Sequence, residues 1–219
     1  ERPLVFGNND TPGVMLSSAA KEYLKIYGVL VGKKPLVFTN NDSGYETAIE
    51  FKKNGIDPIV LDTRKDPNSE IIKEAKDLNI NIKSSYVVVA AKGYKKVNSA
   101  DIAKISEDKK NISNIESIKC DCICVSGFWT PTIHLASQSG NKTKFNEEID
   151  AFIPSQSKQK ETTLGSANGI FTLEETLKTS FEKGSELSKK ITNKDNTVTI
   201  PAVTEKKSSN HDKFWCVPL

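Results

Sequence analysis

The chain has 219 residues, and its 31 basic and 28 acidic side chains leave a net charge of +3. So even a balance builds no strong field, which argues against nucleic acid or a membrane surface as partner. Apolar runs are a handful of residues long, far short of the roughly 20 that span a bilayer, and the opening ERPLVFGNND lacks the basic-then-apolar order of a signal peptide.

Pro3–Phe6 reads as a short strand followed by the polar turn GNNDTPG. Ser17 or Ser18 then caps a helix with Ala20, Tyr23, Leu24 and Tyr27 on its buried face, stopped by Gly28. The stretch Leu36–Thr63 is the most informative: apolar strand, polar turn, helix, glycine stop, second strand. That order is the βαβ half of a dinucleotide-binding fold. Tyr45, Ala48 and Ile49 fall on one helical face, Gly55 supplies a left-handed stop, and Asp42 or Ser43 is the expected N-cap.

In such folds a GxGxxG turn meets the pyrophosphate, and an acid about 20 residues on holds the ribose. Here the register gives Thr39-x-Asn41-x-x-Gly44, with Asp62 closing the second strand. Only the glycine that lets helix and strand pack closely is kept. Asn41 puts a side chain where backbone should approach phosphate, and Asp42 puts a negative charge at the helix start. The fold reads as kept, with its phosphate site altered or lost.

A turn over TRKDPN leads into a helix from Ser69 to Leu78 with Ile71, Ile72, Ala75 and Leu78 as its stripe. From residue 80 the texture changes to short strands, Ile80–Lys83, Tyr86–Ala91, Lys95–Asn98 and Asp101–Ser106, as in a β-meander. Ile118–Val125 is a buried strand on which Cys120, Cys122 and Cys124 alternate and so share one face. Adjacent same-face ligands on one strand cannot surround a tetrahedral metal. With Cys216 they read as thiols of a reducing, cytoplasmic setting, the first three in the core.

Ser126-Gly127 opens a turn at the carboxyl edge of the sheet, where ligands collect, followed by a short helix after Pro131. Trp129 suits core packing better than ligand stacking, and His134 has no nucleophile or acid at catalytic spacing. Phe145 and Ala151–Pro154 read as further short strands. Gly165-Ser166-Ala167-Asn168-Gly169 then precedes a long helix, capped by the Thr172/Glu175 box, with Leu173, Leu177, Phe181, Leu187 and Ile191 as its apolar face. Small residues before a capped helix serve either to aim backbone N–H groups at an anion or simply to turn tightly.

Several stretches together resemble one family. ERPLVFGNNDTPGVM, LVFTNNDSGY, SGFWTPTIHL, SQSG and LGSANGI occur in the order found in the alpha subunit of heterotetrameric sarcosine oxidase, over most of residues 1–193. The resemblance implies an α/β, Rossmann-like fold with two dinucleotide-binding lobes, of the flavoprotein disulfide-reductase type, the first lobe incomplete. Residues 1–33 would connect to the first lobe, 34–125 would be the second lobe with its meander, 126–193 would return to the first, and 194–219 would be a linker. A chain that opens without Met and ends CVPL reads on this view as a piece of a longer subunit.

The cofactor-binding residues implied are Thr39, Asn41, Gly44 and Asp62 in one lobe and Gly127, Gly165, Ser166, Ala167 and Asn168 in the other. Related flavoproteins place an Asp after the glycine matched by Gly165 to hold the flavin ribityl chain. Ser166 stands there instead, which favours NAD over FAD in this subunit. The resemblance further implies oxidative demethylation of sarcosine to glycine, with formaldehyde passed to tetrahydrofolate. FAD and FMN would sit mainly with a partner among the beta, gamma and delta subunits. Its alternatives are an alpha-type subunit of N-methylglutamate dehydrogenase, or a degenerate lobe kept as scaffold. The residues themselves offer no catalytic group.

Overall fold

The computed structural model describes residues 1–192, 199–203 and 211–218. They divide into two units, Glu1–Phe128 with Lys207–Leu219, and Trp129–Lys206. The first unit runs β1 (Val14–Leu16), α1 (Ser17–Tyr27), β2 (Pro35–Thr39), α2 (Ser43–Lys53), β3 (Ile59–Asp62), α3 (Glu70–Asp77), β4 (Asn81–Ser84), β5 (Tyr86–Lys92), β6 (Ser99–Lys104), β7 (Glu116–Lys119) and β8 (Cys122–Ser126). Five of these strands form a sheet in the order β1-β8-β2-β3-β4, and every pairing in it is parallel. A second, antiparallel sheet, β5-β6-β7, is the meander expected after residue 80.

Strand β2 lies between β8 and β3, and all five of its residues are buried, as its unbroken apolar run requires. Its side chains alternate between two cores. Leu36 and Phe38 join Leu61, Ile123 and Val125 against the meander; Val37 joins Val60, Tyr45, Phe51 and Ile72 beneath the helices. Each of these larger side chains contributes roughly 1.5–3 kcal/mol by leaving water. Tyr45, Ala48 and Ile49 are buried as their spacing predicts, and Gly55 adopts a φ of 78° at the helix stop.

Several expectations need correction. Pro3–Phe6 is no strand; Val5 and Gly7 each make a single bridge, to Cys216 and Ala90, while the short β1 that follows was not foreseen. Helix α1 buries Ala20 but leaves Tyr23 47% and Tyr27 69% exposed, because its inward edge, Ser17 and Ala20, abuts α2. Its N-terminus is served by the Glu1 carboxylate, which accepts the Ser18 N–H at 2.7 Å, rather than by a serine hydroxyl. Residues 81–84 pair with β3 and so extend the parallel sheet, and Lys95–Asn98 is a turn closed by the Asn98 N–H to Lys92 C=O bond.

Ile118–Val125 is two strands, β7 in the meander and β8 in the parallel sheet. The break falls at Asp121, whose carboxylate accepts the N–H groups of Lys33 and Lys34 at 2.8 and 2.7 Å. The resulting change of sheet sends Cys120 into the meander-side core and Cys122 and Cys124 into the helix-side core. The three thiols therefore do not share a face.

The second unit holds α4 (His134–Gln138), a hairpin of β9 (Thr143–Asn146) and β10 (Ala151–Pro154), a 3-10 turn at Gly165–Asn168, and α5 (Leu173–Thr192). Thr172 caps α5, its hydroxyl accepting the Glu175 N–H at 3.3 Å and lying 3.2 Å from the Glu175 carboxylate. The expected apolar face of α5 is present in sequence, yet none of its described residues is buried, and Ile191 is 82% exposed. Of the stretch expected as a linker, residues 194–198, 204–210 and 219 lie outside the described residues. Residues 211–218 instead pack onto the first unit, with Phe214 and Val217 in its core.

Candidate functional site

In an open parallel sheet the natural ligand site is the crevice outside the carboxyl ends of the strands, where the strand order reverses. Here the chain steps from β2 outward to β3 and β4, then returns to β2's other side as β8. The crevice therefore lies over Thr39–Gly44 and Ser126-Gly127, which is where the sequence placed its first group of candidates.

Protein groups fill it. Thr39 Oγ donates to the Asn41 C=O at 2.8 Å and accepts the Asn41 N–H at 3.2 Å, closing the turn on itself. The Asn41 carboxamide spans the reversal point, its Nδ2 donating to the Ser126 C=O and Oγ, both at 3.1 Å. Its Oδ1 accepts the Ser43 N–H at 2.8 Å. An α-helix offers free N–H groups at its start, and a phosphate would use them. Here Asn41 caps α2, and neither Asp42 nor Ser43 serves as the side-chain cap that was expected. Thr39 and Asn41 are essentially inaccessible. Gly44 does have the packing role read for it: a Cβ there would stand 2.6 Å from the Thr39 Cβ.

Asp62, the ribose candidate, is fully buried and saturated. It accepts the Tyr45 hydroxyl at 2.8 Å, the Arg64 N–H at 2.9 Å, and Arg64 Nε and Nη2 at 3.0 and 2.8 Å. The same guanidinium reaches Asp42 through Nη1 at 2.9 Å. Burial opposes the charge on Arg64, but the hydrogen bonds and charges of Asp62 and Asp42 prevail and raise its pKa. Burial, then Asp62, raises that of the Tyr45 phenol. Arg64 thus links the acid at the helix start to the acid at the strand end.

Two chain segments close the crevice from outside. Gly127 lies against the N-terminal stretch, where its N–H meets the Arg2 C=O at 2.8 Å and a Cβ would stand 2.8 Å from the Arg2 and Pro3 carbonyl oxygens. The segment after residue 210 crosses Asn40, whose Nδ2 donates to the carbonyls of Asp212 and Phe214 at 2.9 and 3.1 Å. As folded, Thr39, Asn41, Asp62 and Gly127 do not fit a dinucleotide: each polar group it would use is engaged by this chain. A cavity of about 300 Å³ opens one strand further along, lined by Lys65, Ile72, Lys76, Ile82 and Ser84 among others, and none of the candidate residues lines it.

Of the second group of candidates, Gly127 lies in the first unit, and Gly165, Ser166, Ala167 and Asn168 lie in the second. Gly165 is buried with a φ of 63°, which glycine adopts without strain, and a Cβ there would stand 3.0 Å from Thr176 Cγ2. Ser166 is exposed, and Ala167 and Asn168 are half-buried. The turn closes through the Ile170 N–H to Gly165 C=O bond at 3.1 Å and passes at Gly169 towards the capped start of α5. Small side chains and a following capped helix surround this turn. His134 is exposed in the first turn of α4.

Arg64 and Asp212 were not foreseen. An arginine two residues after a strand-ending acid, with a second acid in the preceding turn, is the charge pattern from which Arg64 could have been found. Nothing local points to Asp212, which lies 172 positions from its partner Asn40.

No family model matches the chain. It is 31% identical over 186 residues to the sarcosine oxidase subunit alpha of Corynebacterium sp. (strain P-1), covering 84% of this chain and 19% of that protein. The corresponding subunit of Rhizobium meliloti (strain 1021) is 34% identical over 169 residues, covering 76% and 16%. The chain thus spans less than a fifth of the length of the curated relatives it matches. Among solved structures, the HOCl-induced flavoprotein disulfide reductase RclA of Escherichia coli superposes with a TM-score of 0.59 at 14% identity, covering 88% of this chain and 42% of that one. Thioredoxin reductase of T. acidophilum gives 0.52 at 13% identity, covering 77% and 57%. At such identities these structures speak for the fold alone, and the fold is that of the flavoprotein disulfide reductases. Over the segment it shares with them, this chain is similar in sequence to the sarcosine oxidase alpha subunits.

Proposed function

We propose that the chain is the dinucleotide-fold part of an alpha-type subunit in a sarcosine oxidase-like complex, an oxidoreductase that demethylates sarcosine to glycine and passes formaldehyde to tetrahydrofolate. The observation that carries this is the match to sarcosine oxidase alpha subunits over 84% of the chain. NAD belongs to the second unit, where the Gly165–Asn168 turn leads into α5. The parts played by this chain are binding and orientation: Gly165 turns the backbone, Ser166 presents a small exposed side chain, and Thr172 with Glu175 secures the helix start. NAD would supply a hydride-accepting ring. FAD and FMN, with the amine chemistry, belong to the beta, gamma and delta partners. The first unit supports the scaffold reading, since its crevice is already full.

The test is to purify the complete protein with its co-purifying subunits and follow sarcosine-dependent formaldehyde release. Turnover with sarcosine, with NAD released on denaturing the complex, is the expected result. Turnover with N-methylglutamate and none with sarcosine would move the protein to the sister dehydrogenases.

A further inference from the structure

We infer that the segment His211–Val217 is a permanent, built-in occupant of the first unit's crevice, standing where a dinucleotide would lie in a binding-competent lobe. This goes beyond the function proposed above and holds whichever amine the complex oxidises. The segment meets the crevice with the chemistry a ligand would use. The Asp212 carboxylate accepts Thr63 Oγ at 2.9 Å and pairs with Lys109 Nζ at 2.7 Å. The Asp212 N–H donates to the Asn40 C=O at 2.9 Å, and Asn40 returns two bonds from its side chain. Thr63 and Asn40 directly follow β3 and β2, so one carboxylate and one peptide unit bridge the ends of two neighbouring strands.

A ring closes over the same place: His211 stacks on Phe128 with centroids 3.9 Å apart and planes 7° from parallel. Beyond Asp212 the segment enters the core. Phe214 is 5% and Val217 1% exposed, the Arg2 guanidinium lies 3.6 Å from the centre of the Trp215 ring, and Val5 exchanges backbone bonds with Trp215 and Val217 at 2.8 and 2.9 Å. Arg64 and Asn41 fill the deeper part of the crevice independently of the segment. Pulling the segment away would strip the core of two buried side chains and still leave no phosphate site. It is therefore a structural clamp and not a lid that a nucleotide displaces.

Amide hydrogen exchange on the complete protein tests this, with and without millimolar NAD or NADPH, alongside the variant Asp212→Ala. The amides of Asp212, Phe214 and Val217 should exchange as slowly as those of β2, and neither nucleotide should change them. NAD bound at Gly165–Asn168 would alter other peptides, so failure of that assignment is read separately. Asp212→Ala should lower Tm by about 3 °C or more and gain no nucleotide binding. Rapid exchange in the unaltered protein, release of these amides by NAD or NADPH, or a micromolar NAD constant gained by Asp212→Ala at unchanged Tm would each overturn the inference. Should Asp212→Ala not fold, the unaltered protein's exchange decides alone.

Discussion

Arg64 holds two carboxylates that are almost wholly out of water, Asp62 at 0% and Asp42 at 5% side-chain exposure. Removing one partner of a buried ion pair leaves an uncompensated charge, a loss of about 3–5 kcal/mol. Arg64→Leu should lower stability by about that much in urea unfolding, and Arg64→Lys should recover only part, because an ammonium cannot fork between two acids. An Arg64→Leu protein of unchanged stability would mean that the acids find water or another donor. Gly44→Ala should cost on the order of 1–3 kcal/mol, since its Cβ would meet the Thr39 Cβ at 2.6 Å. The packing role of Gly44 and the position of Asp62 at the strand end were legible in the sequence because fold geometry fixes their spacing from the turn, whereas the bonding of Asp62 to Arg64 was not. Arg64 was hidden inside a stretch whose polar residues read equally well as a solvated turn. Gly165 is a poor site for a bulky test substitution, because at a φ of 63° any side chain is strained whatever binds nearby.

Among the elements, β7 and β8 show where a local pattern fails. Alternation predicts neutral, buried thiols, and all three are buried, but a single strand cannot foresee that Asp121 takes amides 88 and 87 positions away and redirects the chain. Burial, with the nearby Cys122 and Asp121, pushes the Cys120 thiol up to about 12. The hydrogen bond with Cys122, then burial, raises Cys124 well above its ordinary 9.0. A native thiol titration should therefore modify the exposed Cys216 alone, and urea should release the other three. The alkaline behaviour follows from the sign of these shifts. A thiol whose folded pKa is raised adds stability that is complete below the unfolded value near 9 and lost as pH climbs toward 12. Cys120→Ala should flatten that limb of the Tm–pH profile, and an unaltered slope would place the titration elsewhere. The helix α5 was legible as a helix from its period and capping box, whereas the burial of its apolar face is a property of neighbours that no period reports.

At the scale of the whole molecule, the central βαβ unit, the meander and the family were all readable, because each rests on short-range order or on stretches of specific sequence. The closure of the crevice was not. It depends on Arg2 and Asp212 arriving from opposite ends of the chain to meet Gly127 and Asn40, and loop closure over such distances leaves no local trace. The first unit keeps the dinucleotide fold while its own side chains fill the crevice at the strand ends, and the site proposed for NAD is the Gly165–Asn168 turn. The most direct measurement is an experimental structure of the complete assembly equilibrated with NAD. No nucleotide density at Thr39–Gly44, with Asp212 still bonded to Asn40 and Thr63, is the expected result; a pyrophosphate seated against Asn41 with Asp212 displaced would show that the crevice still binds.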